Sequence, residues 1–480
     1  MNEGRSWFRE TFFANPLIER YRFSLLRPAT FWIHITMYAT IVGLILLINA
    51  AIYKVSGDGD PQPYLSGLFA QFLILEIIIL WVWASYNAGA ALPGEITNRS
   101  YDFFKALPLA AHQKAAGIVV GTNLLVYLLG LFTCGALLVL GRLARIEITL
   151  QGQILFVVAS VTLLFNAAAL LGSIQPQKKP RRQTNPLVAM FMLMFFILPM
   201  GIQGIAACTQ HDIASVRVRF YGAEAPVLIV IALTVLYFSA WTVTGLLRKF
   251  THEREPLFSP GGAFLFVFGF LAVAMGFLQP YLEPGNDTIV AIGWLVFFAP
   301  LVFVPGGALK DLNHYIEHAR SVQGRPAAVR WIALARYSNV ALGLVLFATW
   351  AVFAFAAGLA ANLPVARLVP HLVVLMSFYA FYLLLGELYV LVSGASPAVK
   401  YLLVLVGLLE IILPFVFSPL IGHGTLIFFG PLGYATNVFC VPGLGPVLPR
   451  VLLFNLGLML VPAGLIAARY RRILKLRQEM

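Results

Sequence analysis

The chain has 480 residues, of which 60% are hydrophobic and 11% charged, with a mean hydropathy of +0.86. Soluble domains average about 45–50% apolar and about 25% charged residues. The composition therefore excludes a soluble enzyme, a nucleic-acid-binding domain and a disordered chain, and makes lipid the solvent. Lys and Arg (33) outnumber Asp and Glu (20), giving +13, and in a membrane protein that surplus reports orientation.

Residues 1–29 carry Arg5, Arg9, Arg20, Arg22 and Arg27 among Trp7, Phe8, Phe12, Phe13, Leu17, Ile18 and Phe23. That pattern is not the apolar core of a cleavable signal peptide. It predicts an amphipathic helix lying in the membrane interface, aromatics in the acyl boundary and arginines among headgroups.

A span needs about 20 mostly apolar residues. Twelve candidates follow, near 31–53, 65–92, 115–141, 153–173, 187–207, 225–247, 263–281, 288–306, 331–360, 368–393, 400–419 and 448–468. Strand-like alternation is absent, which excludes a barrel. With the N-terminus inside, 26 of the 33 basic residues fall on the cytoplasmic side, so both termini are expected there. The apolar but Gly- and Pro-broken stretch 420–447 reads as a re-entrant hairpin near the outer face.

An offset of 216 residues aligns Glu95 with Asp311, Ala111 with Ala327, Lys114 with Arg330 and Asn123 with Asn339. The expected architecture is all-α and polytopic: two parallel six-helix repeats, 30–255 and a more degenerate 256–480, after the interfacial segment 1–29.

Chemical motifs are few. No Gly-Lys dipeptide occurs, so no phosphate-binding loop is present; His-Glu-x-x-His, Cys-x-x-Cys and Gly-x-Ser-x-Gly are also missing. No metal, cofactor or catalytic residue is expected in this chain. Cys134 reads as a buried hydrophobe, whereas Cys208 and Cys440 lie where a shared membrane face is conceivable. Gly117 and Gly121 form a small-xxx-small pair that lets a neighbouring helix approach. Glu76, Glu387 and Glu410 are intramembrane acids, read either as a proton or cation relay or as hydrogen-bonded glue between helices. His371 and His423 read as interfacial.

The connection 95–114 is longer than a turn requires. Asn98 or Ser100 can cap a helix there. Phe103, Phe104 and Leu107 make an apolar ridge that either a protein partner or the bilayer interface must cover.

Asn15-Pro16-Leu-Ile-Glu-Arg20-Tyr-Arg22 resembles the interfacial elbow helix of ABC-2-type transport permeases. Glu95, then Asp102-Phe-Phe, Leu107-Pro108-Leu and Lys114-Ala-Ala-Gly117, is similar to that family's coupling segment between spans two and three. The second half departs from the pattern, with His314-Tyr315-Ile-Glu317-His318 in place of the aromatic and Leu-Pro core. The resemblance implies an exporter permease of the bacterial inner membrane, energised by a separate P-loop ATPase that holds the ATP and Mg. It places Glu95, Tyr101, Phe103, Phe104, Leu107 and Lys114 at the ATPase interface, with membrane lipid and a second copy as further partners and no nucleic acid. The alternative is an ion-coupled secondary transporter that uses the intramembrane glutamates.

Overall fold

In hydrocarbon every backbone polar group must be satisfied within the protein, which favours long uninterrupted helices. The computed structural model describes residues 9–56, 61–97, 106–174, 217–251, 257–282, 326, 339–393 and 448–476. It is mostly helical, and eight helices are long and apolar enough to cross a membrane. The chain is accordingly an integral membrane protein. Predicted spans 31–53, 65–92, 115–141, 153–173, 225–247, 263–281, 368–393 and the described part of 331–360 fall on these eight. Span 448–468 falls on a further helix whose apolar part is Asn455–Ala468. Spans 187–207, 288–306 and 400–419 and the stretch 420–447 lie outside the described residues, as do Cys208, Cys440, His423 and most of the 216-offset pairs.

Two units divide the chain, Met1–Val218 with Ala225–Arg254 and Arg219–Glu224 with Glu255–Met480. The described part of the first opens with a single π-turn, Arg9–Phe13, then helix α1 (Pro16–Leu25) and helix α2 (Pro28–Ser56). Helix α3 (Gln62–Ile77) runs through a π-helical stretch, Ile78–Trp83, directly into α4 (Ala84–Thr97). Helices α5 (Ala111–Leu143), α6 (Ile148–Ser173) and α7 (Val227–Thr251) complete the unit. Helix α5 packs against α1, α3, α4, α6 and α7.

Lipid offers no hydrophobic drive between helices, so close packing and polar contacts do much of the joining. Paired amides of Asn49 and Gln71 (2.6 and 3.2 Å) tie α2 to α3, and the Tyr38 and Thr133 hydroxyls (2.9 Å) tie α2 to α5. Trp81 Nε1 donates to the Val158 carbonyl at 3.1 Å. Ser85 Oγ donates to Asn166 Oδ1 at 3.2 Å, while Asn166 Nδ2 donates to the Tyr127 hydroxyl at 2.8 Å.

Two short strands, β1 (Arg217–Phe220) and β2 (Ala223–Pro226), form a hairpin that the sequence reading missed. Its central residues, Tyr221 and Gly222, both have positive φ (50° and 78°), the signature of the tight turn that matches strand twist. The second unit adds α8 (Pro260–Leu278), α9 (Asn339–Ala360), α10 (Val365–Ser393) and α11 (Leu448–Leu476). In that unit the hairpin tip caps the end of α8. Tyr221 N–H donates to the Gly276 carbonyl (3.0 Å), and Phe220 packs edge-on against Phe277. Trp350, fully buried, centres its core with Phe347, Phe378 and Tyr379.

One local structure occurs in both units. Helix α5 is followed by Arg145 at φ 56°, and α9 by Asn362 at φ 58°, 217 positions later. At each end two hydrogen bonds close the last turn: Arg145 N to Arg142 O (3.2 Å) and Ile146 N to Gly141 O (2.8 Å), then Asn362 N to Leu359 O (2.9 Å) and Leu363 N to Gly358 O (2.9 Å). This is the Schellman arrangement, which satisfies orphan carbonyls at a helix C-terminus. Gly141 receives Gln151, and Gly358 receives Leu368, each the side chain ten positions on. The following helices then pair through serine: Ser239 Oγ to the Ser160 carbonyl (3.4 Å) between α7 and α6, and Asn455 Nδ2 to Ser377 Oγ (3.0 Å) between α11 and α10.

Candidate functional site: the elbow joint

Asn15-Pro16 starts α1 for local reasons. A side-chain oxygen at the N-cap accepts an orphan backbone N–H, and proline suits the first helical position. Asn15 Oδ1 accepts from Leu17 N at 3.0 Å. Its amide nitrogen does two further things, donating to the Thr11 carbonyl (2.9 Å) in the preceding π-turn and to the Gln113 carbonyl (2.7 Å) in the first turn of α5. Asn15 is 1% exposed. One side chain thus caps α1 and pins it to the start of α5.

The glycine pair explains how α1 lies so close. A Cβ on Gly117 would meet Leu17 Cβ at 2.8 Å and Asn15 Oδ1 at 3.0 Å, and one on Gly121 would meet Tyr21 Cδ2 at 2.6 Å. The neighbour this motif admits is therefore α1. Leu17 inserts at 2% exposure into a cluster with Leu92, Ala115, Ile118, Leu170, Ile174 and Leu246.

Glu95, near the end of α4, turns toward α1. Arg20 donates to Glu95 Oε2 at 3.0 Å, and the Tyr21 hydroxyl donates to Oε1 at 3.2 Å. Burial, with the Glu95 carboxylate beside it, pushes the Tyr21 phenol well above its ordinary value, so it stays a donor. Glu95 itself is 7% exposed. Among the residues assigned to a docking surface, it is thus an internal strut of the joint.

Leu107 is half-buried and packs, with Leu109, on the Leu17 and Leu92 cluster. Lys114 is half-buried in the first turn of α5. Tyr101, Phe103 and Phe104, with Asn98 and Ser100, lie outside the described residues. Within residues 9–29 the N-terminal segment consists of the π-turn, α1 and the start of α2. Its apolar Leu17 faces inward while Phe13 (79%) and Phe23 (66%) are exposed, and breaks fall at Asn15 and at Leu26-Arg27. Arg22 pairs weakly with Glu19 (3.8 Å) on the exposed side.

The intramembrane acids separate. Glu76 is 2% exposed in α3 and Glu387 6% exposed in α10, whereas Glu410 lies outside the described residues. His371, expected at an interface, is 5% exposed near the start of α10. Cys134 is half-buried on α5. Among the described residues no cluster of three His, Cys, Asp or Glu side chains is placed to hold a metal. The joint ties α1 to both α4 and α5.

Sequence reading located Asn15, Gly117, Gly121 and Glu95 but not their partners. An acid and two donors on a basic helix were the available signal for the Arg20, Tyr21 and Glu95 contacts.

These features define a polytopic helical membrane protein whose N-terminal helix is keyed to its third span. Comparison with known protein families, curated proteins and solved structures returns no match.

Proposed function

We propose that this protein is the membrane-spanning permease of an ATP-driven exporter of the ABC-2 type, energised by a separate P-loop ATPase. The observation that carries the reading is the elbow joint. The two ends of the connection 98–110 are held together: Glu95 is tied to α1 by Arg20 and Tyr21, and Gln113 is tied to α1 by Asn15. A push on that connection reaches α1, α4 and α5 as one body, which is what docking of an ATPase demands of a permease. Tyr101, Phe103, Phe104 and Leu107 are the proposed contact ridge, with Lys114 at its edge and Glu95 as the strut beneath it.

On the same reading the chain has twelve spans arranged as two parallel six-span repeats, with both termini in the cytoplasm and an address in the bacterial inner membrane. The paired Schellman turns at Arg145 and Asn362 and the paired serine contacts support the duplication. The offset is 217 across the turns and 216 between Ser239 and Asn455. ATP and Mg belong to the partner subunit, since the chain lacks a phosphate-binding loop.

The test is purification of the tagged full chain from its native host in mild detergent, with mass spectrometry of what accompanies it. A stoichiometric P-loop ATPase, lost on Phe104→Asp while the variant keeps its thermal midpoint, is the expected result. Recovery of the chain alone under crosslinking overturns the reading and leaves ion coupling through the buried glutamates in its place.

A further inference from the structure

Glu76 stands in the α3 part of a span whose sequence from Gln62 to Trp83 contains no Lys, Arg or His. Its carboxyl is shut in by α5: Oε1 lies 3.5 Å from where a Gly130 Cβ would sit. Its other oxygen, Oε2, has no hydrogen-bond partner among the described residues, and no ion pair there reaches it. A carboxylate in such a place lacks a countercharge and leaves an oxygen dry, whereas the neutral acid lacks only one acceptor. Neither state is fully satisfied, which sets Glu76 apart from the polar side chains that knit the helices together.

Two residues further on, the helix changes its winding. Ile78 N–H divides its bond between Ile74 and Leu75 carbonyls, and the stretch Ile78–Trp83 is π-helical, closing with Ala84 N–H on the Ile79 carbonyl. Such insertions are uncommon, and they concentrate at functional sites because the looser turn can shift its hydrogen bonds locally. The groups facing this region are few. From α5 come Cys134, one turn along from Gly130, Tyr127, whose ring packs with Leu75 and Ile79 and whose hydroxyl accepts from Asn166, and Thr133, whose hydroxyl is already held by the Leu129 carbonyl and Tyr38. From α2 come Tyr38 itself and His34, whose ring stacks on Trp83 while its Nδ1 meets the Thr30 carbonyl. From α6 come Phe165, edge-on to Trp81, and the Val158 carbonyl, neither titratable.

We propose that Glu76 is a reversible proton-binding site buried in the first unit, and that the π-helical stretch Ile78–Trp83 is the element that responds to its occupancy. The proton comes from water and returns to it; no bond other than the carboxyl O–H forms or breaks. With the proton bound, the acid is tolerated against Gly130 and the stretch stays closed. With the proton gone, the bare carboxylate requires water at Oε2, and the looser turn yields to admit it. A metal cation fits less well, since a hard cation asks for about six oxygen ligands and the nearby Thr133 hydroxyl is already engaged. The site is independent of ATPase docking, so either reading can fail alone.

The experiment uses the full chain in lipid nanodiscs without any partner. Dicyclohexylcarbodiimide, an apolar reagent that adds to protonated carboxyls, is applied from mildly acidic to mildly alkaline pH, with labelled peptides identified by mass spectrometry. Glu76 is expected to be labelled, with a rate that falls roughly tenfold per pH unit once the proton is lost. In parallel, hydrogen exchange of peptides covering 78–83, corrected for intrinsic rates, should quicken as pH rises in the wild type. Glu76→Gln, a neutral stand-in for the acid form, should stay slow throughout. Absence of labelling at Glu76 at every pH overturns the proposal, as does an identical pH response of 78–83 in the wild type and Glu76→Gln. Should the variant not fold, labelling and exchange in the wild type still decide, because both must change over the same pH interval.

Discussion

The Arg20 guanidinium lies 3.0 Å from the Glu95 carboxylate across 75 residues of chain. The two are unequal partners: the Arg20 side chain is 45% exposed and that of Glu95 9%. Solvent screens the arginine and weakens the attraction, but removing it takes a charged donor from a nearly buried carboxylate to which the Tyr21 hydroxyl still donates. Arg20→Ala should therefore destabilise by about 1 kcal/mol. Glu95→Gln, which still accepts from Tyr21, should cost less than Glu95→Ala. A double-mutant cycle on thermal midpoints in detergent checks this, with a coupling energy indistinguishable from zero as the contrary result.

The glycines of α5 predict opposite outcomes on one helix. Gly117→Ala drives a methyl into Leu17 Cβ and the capping oxygen of Asn15, so α1 must lift, at about 1–3 kcal/mol. Gly135 has nothing within 4 Å of an added Cβ, and Gly135→Ala should be neutral or stabilise by about 0.5–1 kcal/mol. Differential scanning fluorimetry separates the two, and protease cleavage near Arg9–Phe13 should rise only in Gly117→Ala.

The left-handed residues make a matched pair of tests. Arg145 at φ 56° bears a Cβ penalty that glycine lacks, so Arg145→Gly should stabilise by about 0.5–1 kcal/mol. Asn362→Gly should change little, because asparagine tolerates this conformation, whereas Asn362→Val should destabilise by about 1 kcal/mol or more. Thermal midpoints of the three variants in one detergent decide the order.

The serine contacts differ in strength. Asn455 is 1% exposed and donates across 3.0 Å to Ser377, so Asn455→Ala should cost about 0.6–2 kcal/mol. Ser239 already donates within its own helix to Val235 (2.8 Å) and reaches Ser160 only at 3.4 Å. Ser239→Ala should then cost about 0.5 kcal/mol or less. Urea midpoints showing the reverse ranking would contradict the geometry.

Residues with local causes were legible in advance. Apolar runs of span length marked helices α2 to α10 because transfer to lipid is close to additive along a segment. The capped start of α1 at Asn15-Pro16 is an exception, not read in advance although capping involves neighbours only and the signal is local. The Gly117 and Gly121 spacing announced a close approach without naming the helix that makes it. The π-stretch at Ile78–Trp83, the hairpin at Tyr221-Gly222 and the shared turn geometry of Arg145 and Asn362 carried no comparable signal. Arg145 and Asn362 are not glycines, and RVRF alternates too briefly to stand out from its surroundings.

By itself the sequence determined the solvent, the helical class and the places of the described spans, all properties summed over short windows. Only the tertiary structure decided that Glu95 turns inward to Arg20 and Tyr21, that α1 fills the glycine seam of α5, and that one Glu76 oxygen has no partner among the described residues. Those outcomes depend on distances between residues tens of positions apart, which are set by how whole helices pack. A carboxylate's place on the chain does not say whether a cation, a phenol or nothing will stand beside it.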